Sequence, residues 1–329
     1  MDDQPLVVAY GMGVDSTAAL IWMHREGIRP DLILFADVGN EKQETYQYMP
    51  VIQSWLDKVG FPRVKVVRYV PQDFKNWPPY YSLGENCLTN GTLPSLAFGF
   101  KSCSLKWKVT PQNKFCDVWR PAMKHWTAGG RVQKMIGYDA SPRDRQRFAI
   151  AAGAQDDEKY EYWYPLIDIE WDRDRCIEEI RREDLPGWAD IQGTRWVEKG
   201  GAPVKSACYF CPSIQKDEMH WMKKLYLRYI IIMEARAEPR LEKIQGLWRN
   251  GIKGTRKPDK KKPGKMTDYI RQEGLLPADE IDRLVENAPQ EIIQNQEAFA
   301  NGHEIPEWHD FIEAFTPEDG VDEIDMPKL

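Results

Sequence analysis

The opening residues alternate between two hydrophobic periods, and that alternation leaves few folds open. Leu6-Val7-Val8-Ala9-Tyr10 is a short continuous apolar run with β-branched residues, the pattern of a strand buried on both faces, and Gly11-Met12-Gly13 breaks it. Asp15-Ser16-Thr17 then opens an amphipathic stretch through Ala18, Leu20, Ile21 and Met23 that stops at Gly27, a residue suited to a helix C-cap. Leu32 to Ala36 predicts a second buried strand, stopped by Asp37-Val38-Gly39-Asn40. A helix from about Lys42 to Val59 and a third strand from Val64 to Val70 follow. Strands that alternate with helices pair in parallel and are covered on both faces, so the expected fold is α/β with a Rossmann-like parallel sheet.

Residues 71–108 are turn-rich and aromatic, with Pro78-Pro79-Tyr80-Tyr81 and Gly84, Gly91, Pro94 and Gly99. So long an excursion without a clear period is more characteristic of a functional segment than of a connector. Beyond it, the pattern predicts a helix from Thr110 through Val118 and a strand over Gln133 to Tyr138, with Asp139, Arg143, Arg145 and Arg147 at its downstream end. A short strand is expected over Tyr162 to Ile167, then Asp172-Arg173-Asp174-Arg175 opening a helix with Ile177 and Ile180. From Met219 the chain reads as mainly helical, including Leu225 to Ala237, with a Pro/Gly/Lys-rich interruption at about 251–265. The expected organisation is a sheet-containing region over 1–220 and a helical C-terminal region over 221–329.

The chain has 329 residues, 42% of them hydrophobic, which excludes a disordered, collagen-like or disulfide-scaffold protein. Its 45 Lys+Arg against 51 Asp+Glu give a net charge of −6, which argues against a nonspecific nucleic-acid coat. That average hides opposite ends. Arg249 to Lys265 carries eight Lys/Arg and one acid, and Glu304 to Leu329 carries nine acids and one Lys. The basic loop is a candidate contact for the phosphates of a nucleic-acid substrate, with a solvated loop as the alternative. The acidic tail reads as solvated. No apolar run approaches the roughly 18 residues of a membrane span, and Met1-Asp2-Asp3-Gln4-Pro5 is acidic where a secretory signal would be basic. A cytoplasmic protein with no membrane partner is expected. Its six cysteines are then not expected to be disulfides. Cys208-Tyr209-Phe210-Cys211 is a C-x-x-C pair, suited to half a zinc site, two cluster ligands or a redox dithiol, whereas Cys116 and Cys176 lie in helical apolar patterns as core thiols.

The segment Gly11-Met12-Gly13-Val14-Asp15-Ser16-Thr17 joins the first strand to the first helix. Glycines let backbone amides approach closely, and unpaired amides at the positive end of a helix form an anion site suited to phosphate. A dinucleotide G-x-G-x-x-G fails at Ser16, and the Gly-Lys-Ser/Thr ending of a Walker loop is missing. A small-Gly-x-Asp-Ser turn after the first strand instead resembles the pyrophosphate-binding PP-loop of the adenine nucleotide alpha hydrolase superfamily. It is most similar to the Ser-Phe-Gly-Lys-Asp-Ser form of the phosphoadenosine phosphosulfate (PAPS) reductase family, whose sulfurtransferase-like members include DNA phosphorothioation enzymes. Gly11 stands where that family has Ser, and Val14 where it has Lys. Phe35-Ala36-Asp37-Val38-Gly39-Asn40-Glu41 through Glu44-Thr45 resembles the family's Phe-x-Asp-Thr-Gly-x-x-x-x-Glu-Thr. Gly137-Tyr138-Asp139 with Arg143 and Arg145 resembles Gly-Ile-Arg-x-x-x-Ser-x-x-Arg, with Asp139 in place of the first arginine, and Pro165-Leu166 with Trp171 resembles Asn-Pro-Leu-x-x-Trp. The resemblance covers about residues 5–220.

That resemblance implies a PP-loop fold and an adenine nucleotide, ATP or PAPS, bound by Gly11, Met12, Gly13, Asp15, Ser16, Thr17, Asp37 and Gly137. It implies chemical roles for Asp15, Ser16, Asp37, Arg143 and Arg145, with Asp37 holding Mg²⁺ or an adenosine hydroxyl and the arginines, Arg147 included, steadying the anionic end. Cys103 falls where cluster-binding members have Cys-Cys, with Ser104 replacing the second. Cys87, Cys103, Cys208 and Cys211 are thereby implied as a metal set for a [4Fe–4S] cluster, with Zn²⁺ or no metal left open. The implied reaction splits ATP between the α- and β-phosphates, adenylates an acceptor oxygen and releases pyrophosphate. Sulfur from a donor protein would then enter an acceptor such as a nucleic acid. A reductase acting on PAPS with a thiol reductant is the alternative; family reductases carry a C-terminal Glu-Cys-Gly-x-His, and this chain has no cysteine after Cys211. A non-catalytic nucleotide or nucleic-acid binding module is the third reading.

Overall fold

A computed structural model describes residues 4–72, 76, 79–99, 101–153, 157–187, 206–242, 244, 246–248 and 264–288. The basic stretch 249–263 and the acidic tail lie outside them. Contacts within the chain group it into two compact units that interleave in sequence. The first comprises Met1–Asp37, Glu41–Tyr69 and Trp107–Ala207, and the second Val38–Asn40, Val70–Lys106 and Cys208–Leu329.

The first unit is α/β, with an all-parallel five-stranded sheet compatible with a Rossmann-like fold. Its elements run β1 (Leu6–Ala9), α1 (Val14–Arg25), β2 (Leu32–Asp37), α2 (Gln43–Val59) and β3 (Val64–Arg68). In the second unit α3 (Leu83–Asn90) follows, and the chain returns to the first as α4 (Thr110–Val118), α5 (Arg120–Thr127), β4 (Val132–Ile136), α6 (Pro142–Ala152), β5 (Tyr160–Trp163) and α7 (Arg173–Arg182). The strand order is β3-β2-β1-β4-β5. From β1 the chain steps outward through β2 to β3, then crosses back to β4 on the other side of β1. Right-handed crossovers put α1 and α2 on one face and the return connection on the opposite one. The edge-on contacts of His24 on α1 with Trp55 of α2 and with Phe61 place α1 and α2 side by side. Val7, Leu32, Leu34 and Val132 pack the other face with Cys116 and Ala122 from α4 and α5.

One residue in that layer is out of character. Lys134 of β4 is 2% exposed; its Nζ donates to Asn113 Oδ1 at 2.8 Å and lies 4.7 Å from the Tyr160 ring centroid. Burial pushes its amine down to about 8. The unfolded chain keeps that proton up to about pH 10.5, so the folded state carries the full burial cost below pH 8 and sheds it as pH rises toward 10.5. Lys134→Met is expected to be more stable than the native chain at pH 7 by about 3 kcal/mol. The gap should narrow to under about 1 kcal/mol by pH 10 in parallel denaturant titrations.

The second unit contains α3, α8 (Lys224–Ala237), α9 (Met266–Gln272) and helical residues 278–288. The helix α3 lies inside the aperiodic excursion. Ser82 and Glu85 form a reciprocal capping box at its start, and Gly91 ends it in the left-handed conformation. Glu234 of α8, buried, accepts the backbone amides of Leu247, Met266 and Thr267 at 2.6–2.9 Å and the Thr267 hydroxyl at 2.7 Å. Trp248 and Gly264 pair there as an antiparallel bridge. No helix among the described residues is long and apolar enough to cross a membrane.

Candidate functional site

In a doubly wound sheet the loops at the carboxyl ends of two strands part where the strand order reverses, and ligands bind in the crevice left there. Here the order reverses between β1 and β4, so the crevice is flanked by 10–13 after β1 and 137–141 after β4.

The loop after β1 is tightly built. Met12 holds a left-handed φ of 51° with its side chain fully buried, between Gly11, which is exposed, and Gly13, which caps α1. Ser16 Oγ donates to the Gly13 carbonyl at 3.2 Å. Thr17 is spent internally on the Tyr10 hydroxyl at 2.9 Å. A Cβ on Gly11 would meet nothing within 4 Å, which leaves the loop open to close approach. Ser206, which no sequence motif marks, donates from Oγ to the Gly11 carbonyl at 3.0 Å and would lie 2.9 Å from a Cβ at Gly13. Across the crevice Gly137 abuts the same turn: a Cβ there would stand 2.8 Å from Ser16 N and 2.9 Å from Ser16 Cα.

Three carboxylates meet at this place. Asp15, Asp139 and Asp144 bring oxygens all within 4.8 Å of one another, and theirs is the only such group of three or more metal-ligating side chains among the described residues. Arg173 Nη1 pairs with Asp15 Oδ1 at 2.5 Å. Burial pushes Asp15 up to about 6; Arg173 pulls it down, and Asp139 and Asp144 add to the rise. Asp139 accepts from the amide and hydroxyl of Ser141, and Asp144 pairs with Arg147 at 2.9 Å. Arg173 opens α7, which packs along α1 and is tied to it again at the far end by Arg25 with Glu179 and Glu183. Both helices thus start at the crevice. Three acids against two arginines, Arg173 and Arg147, leave a local excess of negative charge suited to a divalent cation.

The other expected residues are placed differently. Asp37 is buried at the end of β2, where Oδ2 accepts from Arg68 and Oδ1 from the Tyr46 hydroxyl at 2.8 Å. It is not part of the carboxylate group. Arg143 is exposed on α6. Arg145 donates from Nε to the Ala140 carbonyl at 2.9 Å and so braces the loop after β4. Arg147 stacks over Tyr138, 4.4 Å from the ring centroid. Asp144 and Arg173 were missed as site residues because their role depends on a fold contact, with Arg173 far from the loop in sequence.

All four candidate metal cysteines fall in the second unit, while Cys116 and Cys176 are fully buried in the first. Cys208 and Cys211 flank a tight turn in which Cys211 N donates to Cys208 O at 3.0 Å. Burial and the nearby Cys103 thiol push Cys87 well above the usual thiol range. Asn40 joins the pieces. Its side chain accepts from Gly84 N at 2.6 Å, at the start of the helix that carries Cys87, and donates to the Tyr209 hydroxyl at 3.0 Å. Among the described residues no three thiols lie within 4.8 Å of one another.

No protein-family model matches the chain, and no curated protein matches it either.

Proposed function

We propose that the crevice between β1 and β4 binds ATP with Mg²⁺, and that the protein is a PP-loop enzyme of the PAPS reductase-like type that adenylates an acceptor oxygen. Sulfur transfer, with a nucleic acid as the acceptor, is the proposed purpose of that activation. The observation that carries the reading is the convergence, at the reversal point of a parallel sheet, of an open glycine turn, a helix N-terminus and three carboxylates. Amides of residues 11–14 and Ser16 Oγ would bind the leaving phosphates, whose charge builds as the bond breaks. Asp15, Asp139 and Asp144 have the hard oxygen donors that suit Mg²⁺, which when bound would neutralise the pyrophosphate. Arg145 holds the loop after β4, and Arg173 offsets part of the negative charge.

Cys87, Cys103, Cys208 and Cys211 are the residues that would hold an iron–sulfur centre. Four thiolates are also the donor set of a structural Zn²⁺ site, so Zn²⁺ is the alternative. Iron content and colour of protein purified without oxygen test this part independently.

The test of the main reading is ATP binding and pyrophosphate release by the full chain. Ser16→Ala is expected to weaken ATP binding by at least about tenfold, the effect of losing one hydrogen bond to a charged group. Mg²⁺-dependent binding should strengthen as pH rises through about 6, where Asp15 gives up its proton, and Asp15→Asn should flatten that profile. A native chain that neither binds ATP nor releases pyrophosphate with any acceptor overturns the reading.

A further inference from the structure

At the carboxyl end of β2 a second set of charges is buried, and one atom in it is unmatched. Glu41 is 2% exposed, and its Oε1 accepts from Lys108 Nζ at 2.7 Å. Its Oε2 is also buried and has no hydrogen-bond partner. The neighbouring acid is in the opposite condition. Asp37 accepts from Arg68 Nε at 2.9 Å and Nη2 at 2.5 Å on one oxygen, and from the Tyr46 hydroxyl at 2.8 Å on the other. That same hydroxyl accepts the Glu41 amide at 3.3 Å. The network therefore fixes Glu41 at both ends, backbone through Tyr46 and carboxylate through Lys108, and leaves one strong acceptor open.

A buried carboxylate oxygen without a donor is costly, and native chains leave few such atoms unmatched unless something else supplies the hydrogen bond. The place limits what that donor is. β2 lies beside β1, so residues beyond its carboxyl end share the ligand-binding edge of the sheet with the glycine turn. A carboxylate repels phosphate, and an acidic side chain after the second strand is where doubly wound nucleotide folds read a sugar hydroxyl. We propose that Glu41 Oε2 accepts a hydrogen bond from a ribose hydroxyl of the bound nucleotide, with Lys108 and Tyr46 as its positioning residues. Asp37, already saturated, holds Tyr46 and Arg68 and does not contact the sugar.

This inference rests on the nucleotide reading above and is tested separately from it. Equilibrium binding of ATP, 2′-deoxyATP and 3′-deoxyATP to the full chain, with Mg²⁺ present, measures the discrimination directly and needs no variant. The native chain should bind one of the two deoxy analogues roughly 10- to 100-fold more weakly than ATP. Glu41→Gln and Glu41→Ala should bind ATP and that analogue within about twofold of each other. Equal binding of all three nucleotides by the native chain, or discrimination that survives in both variants, overturns the role of Glu41 while the nucleotide site stands. The second result would also follow if the atom merely holds a buried water. Failure of the native chain to bind ATP at all overturns both readings together.

Discussion

Gly137→Ala is expected to weaken nucleotide binding by about a hundredfold while leaving most of the fold in place. The added methyl would stand 2.8 Å from Ser16 N and 2.9 Å from Ser16 Cα, and both atoms are backbone, so no side-chain rotation relieves the clash. The end of β4 or the start of α1 must move, and a shift of that kind in a ligand-positioning element costs about a hundredfold in function. The expected stability loss is about 1–3 kcal/mol, the ordinary range for overpacking. Gly11→Ala is a control for stability alone: its Cβ would meet nothing within 4 Å, so its thermal unfolding should be unchanged, while residue 11 itself belongs to the proposed phosphate turn. Calorimetric ATP titration of Gly137→Ala beside the native chain measures the loss of binding. Equal ATP affinity in Gly137→Ala and the native chain would refute the proposed contact between the two loops and the ligand.

The largest stability effect is expected in the second unit. Arg228 of α8 donates from Nε to Glu280 Oε1 at 2.6 Å, with both side chains under 10% exposed. The attraction within such a pair roughly offsets the desolvation of its members, so the pair itself adds little. Removing one partner is another matter, because it leaves a charge buried without compensation. Arg228→Ala and Glu280→Ala are each expected to cost about 3–5 kcal/mol, whereas Arg228→Met combined with Glu280→Leu should recover most of that loss. Urea denaturation of the three variants makes the comparison. A double variant no more stable than either single one would contradict it.

Much of the sheet was legible in the sequence because its strands are buried on both faces and carry continuous apolar runs. Leu6 to Ala9 and Leu32 to Asp37 needed no tertiary information to be found. Apolar content puts the last strand late, at Tyr162 to Ile167 in place of Tyr160–Trp163, because it does not reveal that Pro165 starts a helical turn. The helix Leu83–Asn90 was absorbed into the aperiodic excursion, although Ser82 and Glu85 spell a capping box; Gly84 within its first turn obscured the signal.

The candidate site was half legible. The glycine turn announces itself by position and residue type. The carboxylate group does not, because Asp139 and Asp144 reach Asp15 only when β4 has been laid beside β1. The saturation of Asp37 is equally invisible in one dimension, since Arg68 joins it across paired strands with the register Asp37 opposite Arg68.

The left-handed Met12 carries a consequence for how tightly a ligand can be held. A non-glycine residue in that conformation is strained by about 1–2 kcal/mol, and here the strain is sustained by a side chain anchored wholly in the hydrophobic interior. The turn is therefore shaped by an apolar plug from below. Its curvature is settled when the chain folds, before any phosphate arrives, and changes in salt or pH act weakly on the contact that maintains it. An anion bound there, as proposed, would spend little of its interaction free energy on ordering the turn, which is how a rigid cradle gains affinity without gaining a single new contact.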